Sequence, residues 1–230
     1  MTIDSNTLPH VDGLAVGILG GTGDQGRGLA YRWARAGQRV IIGSRSAERG
    51  AAAAADVAAM PGVTGEVTGG ANPAAAQAGD VVVIAVPWEG HAETVASVRE
   101  PLHGKVVVDC VNPLGFDKKG PFALRVPEGS AAEQTESLLP ESHVCAAFHH
   151  VSATLLCDPA VDHIDLDVLV LGEDRSSIAT VVALANRIEG MRGVYAGRLR
   201  NAGQVEALTA NLISINRRYK VHAGLRVTDL

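Results

Sequence analysis

Leu-Ala-Val-Gly-Ile-Leu-Gly-Gly-Thr-Gly-Asp-Gln-Gly-Arg-Gly, residues 14–28, is the stretch on which the fold turns. Val16, Ile18 and Leu19 form a β-branched-rich apolar run that suits a strand buried on both faces. Gly21, Gly23 and Gly26 then fit G-x-G-x-x-G, and the sequence from Gly28 to Arg35 has helical character, with Gly37 as its stop. In this pattern the first glycine allows the tight turn, and the second lets backbone approach a pyrophosphate. The third lets the helix pack closely on the strand. The helix N-terminus offers unpaired N–H groups and partial positive charge to phosphates. A dinucleotide is therefore expected across Gly21, Thr22, Gly23, Asp24, Gln25 and Gly26.

A second strand is expected at residues 39–42, and it runs into Gly43-Ser44-Arg45. An NAD site places a carboxylate here to bond the ribose 2′-hydroxyl. Ser44 and Arg45 instead suit a 2′-phosphate, because a planar guanidinium can bind phosphate oxygens bidentately, and Arg49 adds a second cation. NADP is the cofactor that follows. The plain structural alternative has Ser44 capping a helix and both arginines solvated.

Further out, an alanine-rich helix covers about 46–59 with Ser46 as its N-cap, and residues 63–67 suggest a short third strand. A small helix at 73–77 precedes the apolar run 81–86. A helix over 90–99, a strand over 105–109, a long loop from 112 to 140 with a helix near 130–139, and a strand over 143–148 come next. A strand at 166–171, a helix at 174–189, a short segment at 193–195 and a helix at 203–219 complete the chain. Such β/α alternation with doubly apolar strands specifies an α/β fold: a Rossmann-type, doubly wound, mainly parallel sheet with a small C-terminal lobe. The expected division is a polar tail over 1–13, an NADP-binding domain over 14–155 and the lobe over 156–230.

Composition narrows the class. The 230 residues are 47% hydrophobic and 20% charged, as in ordinary α/β proteins, but only 3% aromatic, so aliphatic side chains must fill the core. A net charge of −5 argues against a nucleic-acid partner. Cys110, Cys145 and Cys157 are odd in number and fit no metal spacing, so reduced thiols and a cytoplasmic location are expected. No stretch approaches the roughly 20 apolar residues of a membrane span, and the first residues do not read as a signal peptide.

Two more clusters fall where strands of an open α/β sheet end, the edge at which such sheets bind ligands. Val86-Pro87-Trp88 follows the fourth strand, with Trp88 placed to lie along a nicotinamide or to fill a gap beneath the loop. His149-His150 follows the sixth; no third ligand is near, so no metal is expected and His149 is read as lining the site.

These segments, together with Ala147-Phe148-His149-His150-Val151 and Val205-Glu206-Ala207-Leu208-Thr209, occur in an order that resembles the NADPH:coenzyme F420 oxidoreductases. The likeness runs from Leu14 to Leu225. It implies that Thr22, Ser44, Arg45, Arg49, Val86, Pro87, Trp88 and Ala153 face NADP. It places His149, Val151, Thr209 and Leu225 toward the deazaflavin coenzyme F420. Asn112 and His150 stand where more apolar or hydroxyl-bearing residues are expected, and Ala207 where a serine occurs. A homodimer and direct hydride transfer between the two cofactors, with no protein nucleophile, are implied. Rival readings are an NADPH-dependent imine or 3-hydroxyacid reductase of the same cofactor fold, and a non-catalytic NADP sensor. The former carry a larger C-terminal helical domain and a lysine there, a role for which Lys220 lies too near the end.

Overall fold

The computed structural model describes residues 8–230. The expected tail over 1–13 thus lies partly outside the described residues, and its described part is packed. Val11 is buried, its carbonyl accepts from Gln38 Nε2 at 2.7 Å, and Asp12 pairs with Arg187 at 2.6 Å.

The first half of the chain folds as β1 (Ala15–Leu19), α1 (Asp24–Arg35), β2 (Arg39–Ser44), α2 (Ala47–Ala58), β3 (Val67–Ala71), α3 (Asn72–Ala78) and β4 (Val81–Ile84). After a 3-10 turn at Trp88–Gly90 come α4 (His91–Ser97), α5 (Arg99–Leu102) and β5 (Val106–Asp109). A hairpin of β6 (Leu114–Asp117) and β7 (Gly120–Ala123) precedes α6 (Ala131–Leu138) and β8 (His143–Ala146). The rest is α7 (Ala153–Cys157), β9 (Leu166–Gly172), α8 (Arg175–Asn186), β10 (Met191–Gly197) and α9 (Ala202–Tyr219).

Eight strands make one sheet in the order β10-β9-β8-β5-β4-β1-β2-β3, and every neighbouring pair is parallel except β8–β9. Strand order reverses between β1 and β4, which opens a crevice at their carboxyl ends. Alternate side chains feed opposite cores: Val16, Ile18, Val81 and Val83 on one face, and Leu19, Val82 and Ile84 on the other. Each such buried side chain contributes about 1.5–3 kcal/mol. Gly17 faces the second core because a Cβ there would lie 2.4 Å from the Ala75 carbonyl, so α3 rests directly on the backbone of β1.

The expected division at 155/156 is not a break in the sheet, since β9 and β10 extend it. The third strand lies at 67–71 and not at 63–67. The N–H groups of Thr64 and Gly65 are spent on the Ala34 carbonyl at the end of α1, at 3.2 and 2.8 Å, so they cannot join a ladder. Gly69 and Gly70 read as breakers, yet they belong to β3. A Cβ on Gly50 of α2 would stand 2.1 Å from the Gly70 carbonyl oxygen, so helix and strand pack backbone to backbone. The loop after Asn112 contains the β6–β7 hairpin, turned at Asp117–Gly120, where Gly120 has φ +118° and Lys119 N–H donates to Asp117 Oδ1 at 2.7 Å.

Candidate functional site

α1 begins at Asp24, earlier than its sequence suggests, so Gly26 and Gly28 lie inside it. A Cβ on Gly26 would come within 2.7 Å of Gly21 Cα, and one on Gly28 within 2.5 Å of Leu156 Cβ. Gly21 is walled in by Ile42 and by the Ile18 carbonyl. Gly23 is different. The nearest atom to a Cβ there is the Gly20 carbonyl oxygen at 3.5 Å, an ordinary contact, so nothing in the protein itself demands a glycine. The demand has to come from what approaches the loop. Gly23 caps α1 with backbone alone, leaving the first-turn N–H groups without a side-chain partner.

A cleft of about 750 Å³ opens over this loop. Thr22, Gly23, Asp24, Gln25, Ser44, Arg45, Arg49, Val86 and Pro87 all line it, as expected; Gly21 and Gly26 are buried beneath it. Ser46, not Ser44, caps α2, accepting from Arg49 N–H at 3.3 Å, so Ser44 is left facing the cleft. Arg45 and Arg49 are exposed, and no ion pair among the described residues engages either. Two guanidiniums outside any such ion pair suit an anion, in a lining that also holds Asp24, Glu89 and Glu93. The glycine loop, the buried hydroxyl and the cations together fit a 2′-phosphorylated dinucleotide.

Sequence reasoning missed Asn72 in this wall. It is buried at the start of α3, and its Oδ1 accepts from Gly20 N–H at 3.2 Å, holding the loop's first glycine at φ +72°. The Asn-Pro pair after β3 was its only signal. Trp88 does not line the cleft. It is half-buried, packs on the second core and stacks on His91 with ring centroids 5.4 Å apart.

At the far end, β8 stops at Ala146 because Phe148 adopts φ +65°, a conformation costly for an aromatic residue. It persists here because Phe148 is buried edge-on against Trp33, and its carbonyl accepts from Gln25 Nε2 at 3.2 Å. That bond ties the glycine loop to the next segment. His149 is buried with both ring nitrogens unpartnered, and burial lowers its pKa to about 4. His150 is also buried, receives Leu169 N–H at 3.4 Å, and is likewise lowered to about 4 by burial.

Val151 is buried, and Ala153 opens α7, a helix absent from the sequence reading. α7 and the loop after it exist because Arg32, buried in α1, donates to the carbonyls of Leu155, Leu156, Asp158 and Val161. Thr209 on α9 donates its hydroxyl to the His149 carbonyl at 3.1 Å, and Asn112 Nδ2 donates to the same oxygen at 2.8 Å. β9 runs antiparallel to β8 and begins beyond its carboxyl end, where Asp167 N–H donates to the Leu225 carbonyl at 2.8 Å. His149 and Thr209 thus meet beyond the carboxyl end of β8, and Leu225 lies at the start of β9. Along α9, Val205 and Leu212 are buried, but Ile215 is 40% exposed.

A second polar cluster went unnoticed in the sequence. His91 Nε2 lies 2.7 Å from Asp109 Oδ2 and its Nδ1 lies 2.8 Å from Gln134 Oε1. Glu206, also buried, takes the N–H groups of Ala131 and Ala132 at the head of α6, at 2.9 and 3.2 Å.

Comparison with known proteins follows the same lines. Residues 15–113 match the model of a family described as NADP oxidoreductase, coenzyme F420-dependent. The F420-dependent NADP reductase of Methanothermobacter thermautotrophicus is 40% identical over 223 residues, 94% of this chain and 96% of that one. The enzyme of the same name from Methanocaldococcus jannaschii is 39% identical over 94% of this chain and 99% of its own. A solved chain from Arthrobacter sp. FB24, provisionally assigned as an F420-dependent NADP reductase, superposes with TM-score 0.75 at 26% identity, over 94% of this chain and 100% of that one. A pyrroline carboxylate reductase of Plasmodium falciparum with NADP bound shares the fold alone, with TM-score 0.58 at 11% identity over 91% of this chain and 66% of that one.

Proposed function

The chain belongs to the family of F420-dependent NADP reductases, and from that premise we infer that it passes hydride reversibly between NADP(H) and coenzyme F420. The observation that carries this reading is the full-length 40% identity to the Methanothermobacter thermautotrophicus reductase. Bound side by side, the cofactors supply the chemistry, a hydride moving from nicotinamide C4 to deazaflavin C5.

The chain's own residues hold geometry and charge. Arg45 and Arg49 receive the 2′-phosphate with Ser44, the head of α1 receives the pyrophosphate at Gly23, and Val86 and Pro87 wall the nicotinamide side. Trp88 serves this wall from behind. His149, Val151, Thr209 and Leu225 form the deazaflavin side, and Ala153 adjoins the dinucleotide. The Thr209 hydroxyl is already given to the His149 carbonyl, so Thr209 sets the shape of that side and donates nothing further there. The ring nitrogens of His149 are buried, and burial holds that imidazole well below its ordinary pKa, so it enters this side as a neutral group.

The chain is taken to work as a cytoplasmic homodimer. No disulfide joins its three cysteines. Phe116 and Phe122 on the hairpin, with Ile215 and Tyr219 on the adjacent α9, are exposed apolar side chains for a second copy to cover. The reading as a reductase is tested by mixing protein, NADPH and oxidised coenzyme F420. Deazaflavin absorbance should fall in proportion to NADPH consumed; no loss of absorbance rejects it.

A further inference from the structure

Behind the Pro87–Trp88 turn lies a buried polar cluster that the hydride transfer itself does not use. His91 at the head of α4 is fully buried, as are Asp109 at the end of β5 and Thr135 on α6. The hydrogen-bond grammar of the cluster determines where its protons sit. Gln134 Nε2 lies 3.3 Å from the Glu128 carboxylate, which can only accept, so the amide nitrogen faces Glu128 and the amide oxygen faces His91. An amide oxygen only accepts, so His91 Nδ1, 2.8 Å away, carries a proton.

Asp109 collects donors on both oxygens: Val111 N–H on Oδ1 at 2.9 Å and the Thr135 hydroxyl on Oδ2 at 2.6 Å. That set solvates a carboxylate. The remaining proton, between Asp109 Oδ2 and His91 Nε2 at 2.7 Å, goes to the stronger base, and an imidazole exceeds a carboxylate by about 2.6 pH units. Both ring nitrogens of His91 are then protonated. His91 is raised and Asp109 lowered from their ordinary values by their mutual hydrogen bond and charge, against the cost of burial.

Over this ring lies Trp88, its plane tilted 30° and its centroid 5.4 Å away. A cation against an indole face is attracted by the ring's quadrupole. We propose that His91 is a permanent buried imidazolium, held by Asp109 and Gln134, that seats Trp88 and so positions the Val86–Gly90 wall of the dinucleotide cleft. His91 is a positioning residue: it touches no ligand and acts through the turn it anchors. The proposal rests on reading that cleft as the NADP site.

The charge state can be read without any ligand, by nitrogen-15 NMR of the histidine rings of the full chain, with the His91 signals identified by their loss in His91→Gln. Both His91 nitrogens should show the protonated shift at pH 7 and still at pH 8. A non-protonated nitrogen at pH 7 would overturn the imidazolium. The seating is read from NADPH affinity in the double variant His91→Gln, Asp109→Asn, which keeps a hydrogen-bonded pair and removes both charges. Its dissociation constant for NADPH should rise about tenfold, with that for coenzyme F420 changed less than twofold. Unchanged NADPH affinity, or equal loss of both ligands, overturns the positioning role.

Should the double variant not fold, Trp88→Leu removes the stack at a half-buried position and should give the same selective loss. A wild type that binds NADPH yet reduces no coenzyme F420 rejects the reductase reading and leaves this test intact. A wild type that binds no NADPH overturns both.

Discussion

The two ends of the candidate site are built by different means. On the β1–β2 side the cleft is lined by backbone and unpaired cations: Gly23 has room around it, the head of α1 has no side-chain cap, and Arg45 and Arg49 are in no ion pair among the described residues, although Asp24, Glu89 and Glu93 share the lining. On the β8–α9 side almost every polar group is already spoken for. Thr209 and Asn112 both point at the His149 carbonyl, and Leu225 is bound to Asp167. At this second end the polar groups hold one another in place, so losses there should act on fit more than on charge.

The largest effect should come from Gly23→Val. The protein leaves space for the side chain, so the variant should fold with near-wild-type melting behaviour. The valine would occupy the place of the pyrophosphate, and NADPH binding measured by calorimetry should disappear. A folded variant with normal affinity would remove the glycine loop from the site.

Next in size is Arg45→Ala. Loss of a charge-assisted phosphate pair corresponds to about 1.5–3 kcal/mol, or roughly tenfold to a hundredfold in NADPH affinity. NADH, lacking the 2′-phosphate, should bind both proteins alike. Equal use of NADH and NADPH by the wild type would contradict this assignment of the corner.

At the other end, effects should be smaller and shaped by packing. Deleting residues from Val221 onward removes Arg226 and the Val227 N–H from Asp167, a fully buried carboxylate that would keep only Arg192. Affinity for coenzyme F420 should fall severalfold, and that for NADPH much less. Val151→Ala should change the single-turnover hydride rate by a similar factor, because a shifted ring alters the donor–acceptor distance. Matching losses of both ligands in the truncation would show that the two ends are one structural unit.

The same contrast governs what the sequence could tell. Strands such as Val81–Ile84 are apolar on both faces and announce themselves, and the glycine loop and Ser44-Arg45 corner sit at fixed places after β1 and β2. What stayed hidden depends on partners far along the chain. α7 is held by a guanidinium 123 to 129 residues away, and nothing in Ala153–Cys157 itself signals a helix. His91 and Asp109 read as a helix start and a strand end, and only the crossover from β4 to β5 brings them within 2.7 Å. Glu206 reads as the polar member of a helix, yet it is buried, accepting the first two N–H groups of α6.

The last effect expected is one of pH on stability, not on binding, and it sets Glu206 against the two histidines. Burial pushes the Glu206 carboxyl up to about 7 from 4.5, so between these values the unfolded chain releases a proton that the folded protein keeps. Its contribution to stability therefore falls as pH rises through that window. His149 and His150 are lowered to about 4 from 6.5. Their contribution is present above 6.5 and is lost as pH falls toward 4, the opposite slope over nearly the same range. In the wild type the histidine slope, carried by two groups, is countered only in part by that of Glu206. Glu206→Gln removes one of them and keeps an oxygen for the α6 N–H groups. Urea denaturation at pH 5 and pH 8 should then show the variant gaining on the wild type with rising pH, by up to about 3 kcal/mol. Parallel stability curves would mean that Glu206 is ionised throughout, held so by the head of α6.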